Sequence, residues 1–167
     1  MAKYTTFLFG TDVKYGKEII TMSDEVKRAL GTKLKIGKGP SPTPVAVAGL
    51  TSIGGLELSA DSIDSTTLDS DGGYRTFIAG FKDAGEVSLE GYLIPTTGKG
   101  QKELYGLFES GAAEDYTIEF PAETGTKWEF KGVVTGFSTS ASLEDPLAFS
   151  ATIKVSGKPT LTVSTGA

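Results

Sequence analysis

The sequence predicts an all-β domain with one helix. Three observations carry that prediction. Gly (22 of 167 residues) is abundant beside many Thr and Ser, with 9 Phe and 6 Tyr, the usage of short strands joined by tight turns. Three stretches alternate apolar and polar residues with period two, and a single segment has a helical apolar stripe. A chain of this length buries one sizeable core and leaves little for a second, so it divides into an N-terminal arm over residues 1–31 and a β domain over 32–167.

Taken in order, the arm has the makings of one short helix. Ser23 stands at the N-cap, Asp24 and Glu25 in the first turn, Lys27 and Arg28 in the last, and Gly31 where a terminating glycine belongs. Val26, Ala29 and Leu30 share its apolar face, and two turns need something to pack on. Lys33 to Ile36 forms a short strand, followed by a breaker stretch from Gly37 to Pro44 with three prolines. Val45 to Ile53 is β-rich. Residues 58–85 read as a long polar connection with little strand pattern, of a kind that is usually functional inside a compact domain.

Beyond it, Glu86 to Ile94 places Val87, Leu89, Gly91 and Leu93 on one face and Glu86, Ser88, Glu90 and Tyr92 on the other. Leu104, Leu107 and Phe108 give the helix its stripe, and Gly111 ends it. Tyr116, Ile118 and Phe120 alternate up to the Glu123-Thr124-Gly125 turn, and Lys127 to Phe137 returns as the second arm of a hairpin. There Trp128, Phe130, Gly132 and Val134 oppose Glu129, Lys131, Val133 and Thr135. In the last strand Leu147, Phe149, Ala151, Ile153 and Val155 oppose Ala148, Ser150, Thr152 and Lys154.

Charge is unevenly spread. Residues 1–40 hold 8 Lys/Arg against 4 Asp/Glu and residues 41–167 hold 8 against 17, so a +4 arm precedes a −9 body and the sum is the net −5. An acidic body does not attract nucleic acid, but it can attract the basic arm of another copy. No Cys means no disulfide framework, and no His removes the commonest general base and metal ligand. The run Phe7-Leu8-Phe9 is too short for a signal sequence, and no stretch approaches a membrane span.

No constellation supports catalysis or a cofactor. Asp69, Asp71 and Gly72 echo a calcium loop but lack the further ligands, the sixth-position glycine and the closing Glu that such a loop needs. Gly10 to Gly16 before Lys17 has the wrong spacing for a phosphate loop. The acid pairs Glu86 and Glu90, Glu114 and Asp115, and Glu144 and Asp145 read as surface carboxylates, and Trp128 reads as a core residue. Catalytic, metal and cofactor residues are therefore expected to be none.

The stretch from Ala48 to Leu93 resembles the signature of the siphophage major tail tube proteins. The resemblance rests on Leu50-Thr51-Ser52-Ile53, Asp64, Thr66-Thr67, Gly72-Gly73-Tyr74-Arg75 and Phe81-Lys82-Asp83-Ala84-Gly85-Glu86-Val87, with Thr32 to Gly37 upstream and the helix and hairpin downstream. It implies a β-sandwich or barrel of the tail tube type with one flanking helix. It further implies hexameric rings whose inner sheets join into a continuous barrel, stacked into a virion tube that passes double-stranded DNA. Implied partners are other copies of the chain, a tape measure protein and terminator and tip proteins, with assembly in the bacterial cytoplasm and no membrane. The segment holding Asp61, Asp64, Thr66, Asp69, Asp71, Tyr74, Arg75, Lys82 and Asp83 corresponds to the contact with a neighbouring subunit or ring. Two departures stand out: the N-terminal arm, and an end without the added immunoglobulin-like domain of some members, from which a smooth tube surface is expected.

Elementary physics points the same way. A few strands cannot enclose an aqueous channel, which takes roughly sixteen or more. Several copies edge to edge can, and this also disposes of exposed strand edges. The lumen candidates are then Glu86, Ser88, Glu90, Glu129, Lys131, Ser150, Thr152 and Lys154, a mixed polar wall to which a moving polyanion would not stick. Two other classes remain open at this level: a monomeric β-sandwich binding module, for instance for carbohydrate, and the tube protein of a contractile tail or secretion system.

Overall fold

The computed structural model describes residues 14–15, 18–19, 28–37, 43–94 and 96–163. Two-residue strands β1 (Lys14–Tyr15) and β2 (Glu18–Ile19) pair only with each other. The body is one seven-stranded antiparallel sheet built from β3 (Lys33–Ile36), β4 (Val45–Ala46), β5 (Leu50–Ile53), β8 (Glu86–Tyr92), β9 (Ala113–Glu119), β10 (Thr126–Ser140) and β11 (Ala148–Val163). Its strand order is β4-β3-β9-β10-β11-β8-β5.

That order forces the sheet to curl. Laid flat, seven strands put the outermost pair about 29 Å apart at 4.8 Å per step. Yet β4 and β5 are the two outer strands, and only Val47, Ala48 and Gly49 join them, a reach of roughly 14 Å. The sheet therefore rolls over its own apolar face into a half-barrel. Gly49 makes the crossing possible: its φ is 77°, and a Cβ there would lie 2.7 Å from the Tyr92 carbonyl oxygen. Leu34, Val87, Leu89, Leu104, Tyr116 and Ile153 are fully buried inside the curl, and Phe130, Phe149 and Val155 join them.

The predicted alternation holds in β8, whose odd positions Val87, Leu89 and Gly91 are buried and whose even positions are exposed. In β10 it holds up to Val134 and then changes phase, because a bulge leaves Val134 opposite Ile153 and Gly136 opposite Thr152. Phe137 is thereby turned inward, stacked on Phe149 at 6.0 Å and edge-on to Tyr105 at 5.7 Å. A second irregularity sets Gly157, Lys158 and Pro159 against the single residue Phe130, since Glu129 pairs with Thr160 and Lys131 with Ser156. β11 thus continues to Val163, well past the alternating segment that marked it.

Helix α1 (Gln101–Ser110) ends at Gly111, whose N–H donates to the Leu107 carbonyl, as expected. Of the predicted stripe, Leu104 is buried and Leu107 packs partly on the core, Gln101 joins them one turn earlier, and Phe108 is 42 % exposed. The Gln101 amide holds the helix to the crossing, accepting from Ile94 N–H at 2.8 Å and donating to the carbonyls of Ala48 and Tyr92 at 2.8 and 3.0 Å.

The β-rich stretch Val45 to Ile53 forms two short strands on opposite edges of the sheet, because the chain turns at Gly49. Two expectations need correction. The expected helix from Ser23 falls mainly outside the described residues; Arg28 and Ala29, which would close it, are not helical, and Leu30 and Gly31 form a turn. Residues 58–85 are not a structureless connection. They form a hairpin of β6 (Ser59–Asp64) and β7 (Phe77–Asp83), whose strands pair with each other and not with the body. Alternation is weak there because both faces of the hairpin meet solvent.

Candidate assembly surfaces

Three surfaces leave the body unfinished as a lone molecule: the projecting hairpin, the polar face of the sheet, and an open apolar mouth at one end of the core.

The hairpin is cross-linked along its length. Asp64 accepts from Thr66 N–H at 2.9 Å, its pKa is lowered first by the Thr66 side chain and then by that backbone bond, and Arg75 lies 3.5 Å from its carboxylate. Thr66 Oγ1 accepts from Thr76 N–H at 3.0 Å, and the Ser65 hydroxyl donates to Thr76 Oγ1 at 3.2 Å. Asp69 sits in the tip turn, its pKa lowered first by a hydrogen bond from the Thr67 side chain. Asp71 begins a short 3-10 turn to Gly73, Asp61 lies exposed on β6 opposite a bulge of β7 at Gly80 and Phe81, and Lys82 is exposed on β7. Asp64, Thr66 and Arg75 thus shape the hairpin from within rather than standing free at its surface.

Asp83 has a different place. It fixes the root of the hairpin to the body, accepting from Gly85 N–H at 2.9 Å and pairing with Lys154 Nζ at 3.0 Å. These contacts, the backbone bond first, hold its carboxyl below the usual range. Gly85 at φ 70° lets the chain turn there, and a Cβ would meet the Glu57 carbonyl oxygen at 2.7 Å. One residue from the contact set and one from the lumen set therefore form a single joint.

The sequence reading missed what the hairpin presents. Phe81 is 89 % exposed and Tyr74 80 %, and Leu68, Ile63, Phe77 and Ile78 are exposed as well. Such a concentration of large apolar side chains on one projection marks an interaction surface. The clue in the sequence was the Phe77-Ile78 and Phe81 cluster inside an otherwise polar segment.

The polar face is made by neighbouring strands in register. Glu90 lies opposite Ser150, which has Ser138 on its other side with the two serine hydroxyls 2.8 Å apart; Ser88 lies opposite Thr152, and Glu86 opposite Lys154. Lys131 is exposed and sits opposite Asp115, whereas Glu129 is only 17 % exposed and pairs with Lys127 at 3.2 Å. Glu86 and Glu129 each have a lysine across or beside them and Glu90 faces serine, so this face mixes charged and neutral polar groups.

Around Trp128 the apolar interior is left partly open among the described residues. A cavity of about 410 Å³ lies between Leu30, Leu50, Ile53, Ile118, Phe120 and Trp128, and a second of about 690 Å³ between Trp128, Val155, Pro159, Leu161, Leu58 and the hairpin root. Trp128 walls both and is half-buried, so it packs on the core while keeping one side open. Among the described residues no group of three or more metal-ligating side chains converges, and no helix is long and apolar enough to cross a membrane.

Comparison with known proteins bears on these surfaces. The family model described as "Lambda phage tail tube protein, TTP" matches residues 41–162. No curated protein sequence matches significantly. Among solved structures, the tail of an empty gene transfer agent particle, refined with C6 symmetry, is similar at 18 % identity with a TM-score of 0.69, covering 82 % of this chain and 99 % of that one. The sheath-tube complex of an extracellular contractile injection system gives 15 % and 0.66, covering 86 % and 95 %. The SPP1 tail tube gives 12 % and 0.59, covering 80 % and 77 %.

Proposed function

The chain belongs to the lambda phage tail tube protein family, a structural family and not an enzymatic one, and we propose that its copies form hexameric rings that stack into the tube of a virion tail. Phage DNA would pass through the bore, a tape measure protein would occupy it beforehand, and terminator and tip proteins would close the two ends. Assembly would take place in the host cytoplasm. The observation that carries this reading is the pairing of a polar sheet face with a projecting apolar hairpin: neither is finished in one copy, and both are finished by neighbours.

In such a ring Glu86, Ser88, Glu90, Lys131, Ser150 and Thr152 line the bore. This mix of charged and neutral polar groups keeps the wall wetted while offering no sustained basic track for phosphates. Glu129 and Lys154 contribute less, since each is engaged with a neighbour on the same molecule. The hairpin carrying Asp61, Asp69, Asp71, Tyr74 and Lys82 reaches the adjoining subunit or ring.

Electron microscopy of the purified chain at rising concentration tests the proposal. Rings with six-fold symmetry and tubes are expected. A chain that stays monomeric at high concentration would overturn it, and glycan binding by that monomer would favour a binding module instead.

A further inference from the structure

We infer that Gly157, Lys158 and Pro159 guard an open strand edge: they keep the second half of β11 from pairing with the same edge of a second copy, and so confine contacts between copies to other surfaces. The inference goes beyond the tube reading and does not depend on it.

β11 is covered unequally on its two sides. On one side β10 pairs with it from Ala148 to Val163. On the other side β8 accompanies it only from Ala148 to Lys154, and one more bond follows, from the Val155 N–H to the Gly85 carbonyl at 3.1 Å. Beyond that point the neighbouring chain leads into the hairpin root at Asp83. From Ser156 to Val163 this side of β11 has no strand beside it among the described residues. Eight residues extend about 26 Å at 3.3 Å each, more than the mean strand of about five to six residues. The space beside the edge is open as well. The cavity of about 690 Å³ is lined by Gly157, Pro159 and Leu161 on the strand and by Leu58 and Lys82 across from it.

Such an edge is a template for a further strand. Its distal part adds to the hazard, since Thr160-Leu161-Thr162-Val163 is β-prone and uncharged, with Leu161 and Val163 both exposed. Three features that blunt an edge stand directly before that run. Residues 157–159 face the single residue Phe130 on β10, so the strand is bulged there, and Gly157 at φ 78° leaves the extended conformation altogether. Lys158 is exposed, and a two-fold pairing of equal edges would set its charge near that of the other copy's lysine. Pro159 has no N–H to offer an incoming strand. A bulge alone would serve to bend β11. A bulge filled with a lysine and a proline beside an uncharged β-prone run is the arrangement of a gatekeeper. By contrast, the outer strands β4 and β5 are only two and four residues long and expose little edge.

The test removes the guard in the full-length chain. Lys158→Thr/Pro159→Val takes away the charge and restores an N–H, at positions outside the buried core. Below the concentration at which the wild type assembles, this double variant should keep the wild-type circular dichroism and urea midpoint, yet convert to sedimentable, thioflavin T-positive material at least tenfold faster. Adding Thr160→Lys, on an exposed residue of the same edge, should bring the rate back to that of the wild type. A merely local packing role of residues 158 and 159 would not be rescued from position 160. An unchanged rate in the double variant, or a fast rate that Thr160→Lys leaves in place, overturns the inference. Where the double variant loses its native spectrum, Lys158→Thr alone is read, with Pro159 and the bulge intact; a rate at least threefold above wild type is expected, and an unchanged one overturns the inference. If the wild-type chain forms no rings or tubes at any concentration, the tube reading fails, while this comparison, made on soluble protein, still decides the guard.

Discussion

Two buried polar side chains show how differently a core can treat them. The amide of Gln101 uses its oxygen and both hydrogens on backbone groups that would otherwise be orphaned at the β4–β5 crossing. Gln101→Leu leaves an N–H and two carbonyls unpaired and is expected to cost about 3 kcal/mol, read by urea denaturation. The hydroxyl of Tyr116 is buried without a partner, although its ring stacks on Phe130 at 5.6 Å. Tyr116→Phe should therefore be neutral or stabilising by up to about 1 kcal/mol at pH 7. The phenol also titrates. Burial, then the nearby Glu114 carboxylate, push its pKa well above the ordinary value. A raised folded pKa means that the contribution of the neutral phenol is complete below the unfolded pKa of about 10 and is lost as pH rises beyond it. Wild-type stability should fall more steeply above pH 10 than that of the Phe variant, and equal slopes would show that the hydroxyl is solvated. The Tyr116 ring could be read from alternation in the sequence. Its unpaired hydroxyl could not, because partners across a curled sheet come from strands distant in sequence.

At the scale of elements, the hairpin root is the joint to test. Asp83 links β7 to Lys154 on β11 and to the Gly85 turn, so it belongs to local architecture as well as to the contact segment. Its depressed pKa means the linkage is present above the unfolded pKa of about 3.9 and is lost as pH falls through the lower folded value. Amide exchange across residues 59–83 should accelerate in that acid range, and at pH 7 in Asp83→Ala, while exchange in β10 stays slow. A uniform change across both would mean that the hairpin and body unfold together. Gly85→Ala forces a Cβ toward the Glu57 carbonyl at positive φ and should cost about 1–3 kcal/mol. Elements buried on one face, such as β8 and the first half of β11, were legible because burial writes a period of two into the sequence. The hairpin was not, since its strands are exposed on both sides and its apolar residues follow the needs of a contact rather than of a core. Likewise the β-rich composition of Val45–Ile53 marks strand propensity, which is local, while the divergence of β4 and β5 depends on which edge each one finds.

For the whole molecule, two forces could hold copies together, and ionic strength separates them. The N-terminal 40 residues are net positive and the remainder net negative, so contacts between arm and neighbouring body weaken as salt shortens the screening length to about 8 Å near 0.15 M. Apolar contacts made by the exposed side chains of the hairpin lose little in salt. Within the described residues β1 and β2 pair only with each other, and every buried core residue described lies at or beyond Leu34, so a chain beginning at Arg28 should fold with nearly the full-length melting temperature. Residues 1–27 hold 4 Lys and 4 Asp/Glu, so their removal takes away no net charge, and the positive excess at Arg28, Lys33, Lys35 and Lys38 stays; assembly of the shortened chain should keep the salt dependence of the full chain. Light scattering across 0.05–0.5 M NaCl, roughly a threefold span of screening length, measures both slopes. A clearly flatter slope for the shortened chain would show that residues 1–27 carry the attraction through the placement of their charges and not through their sum.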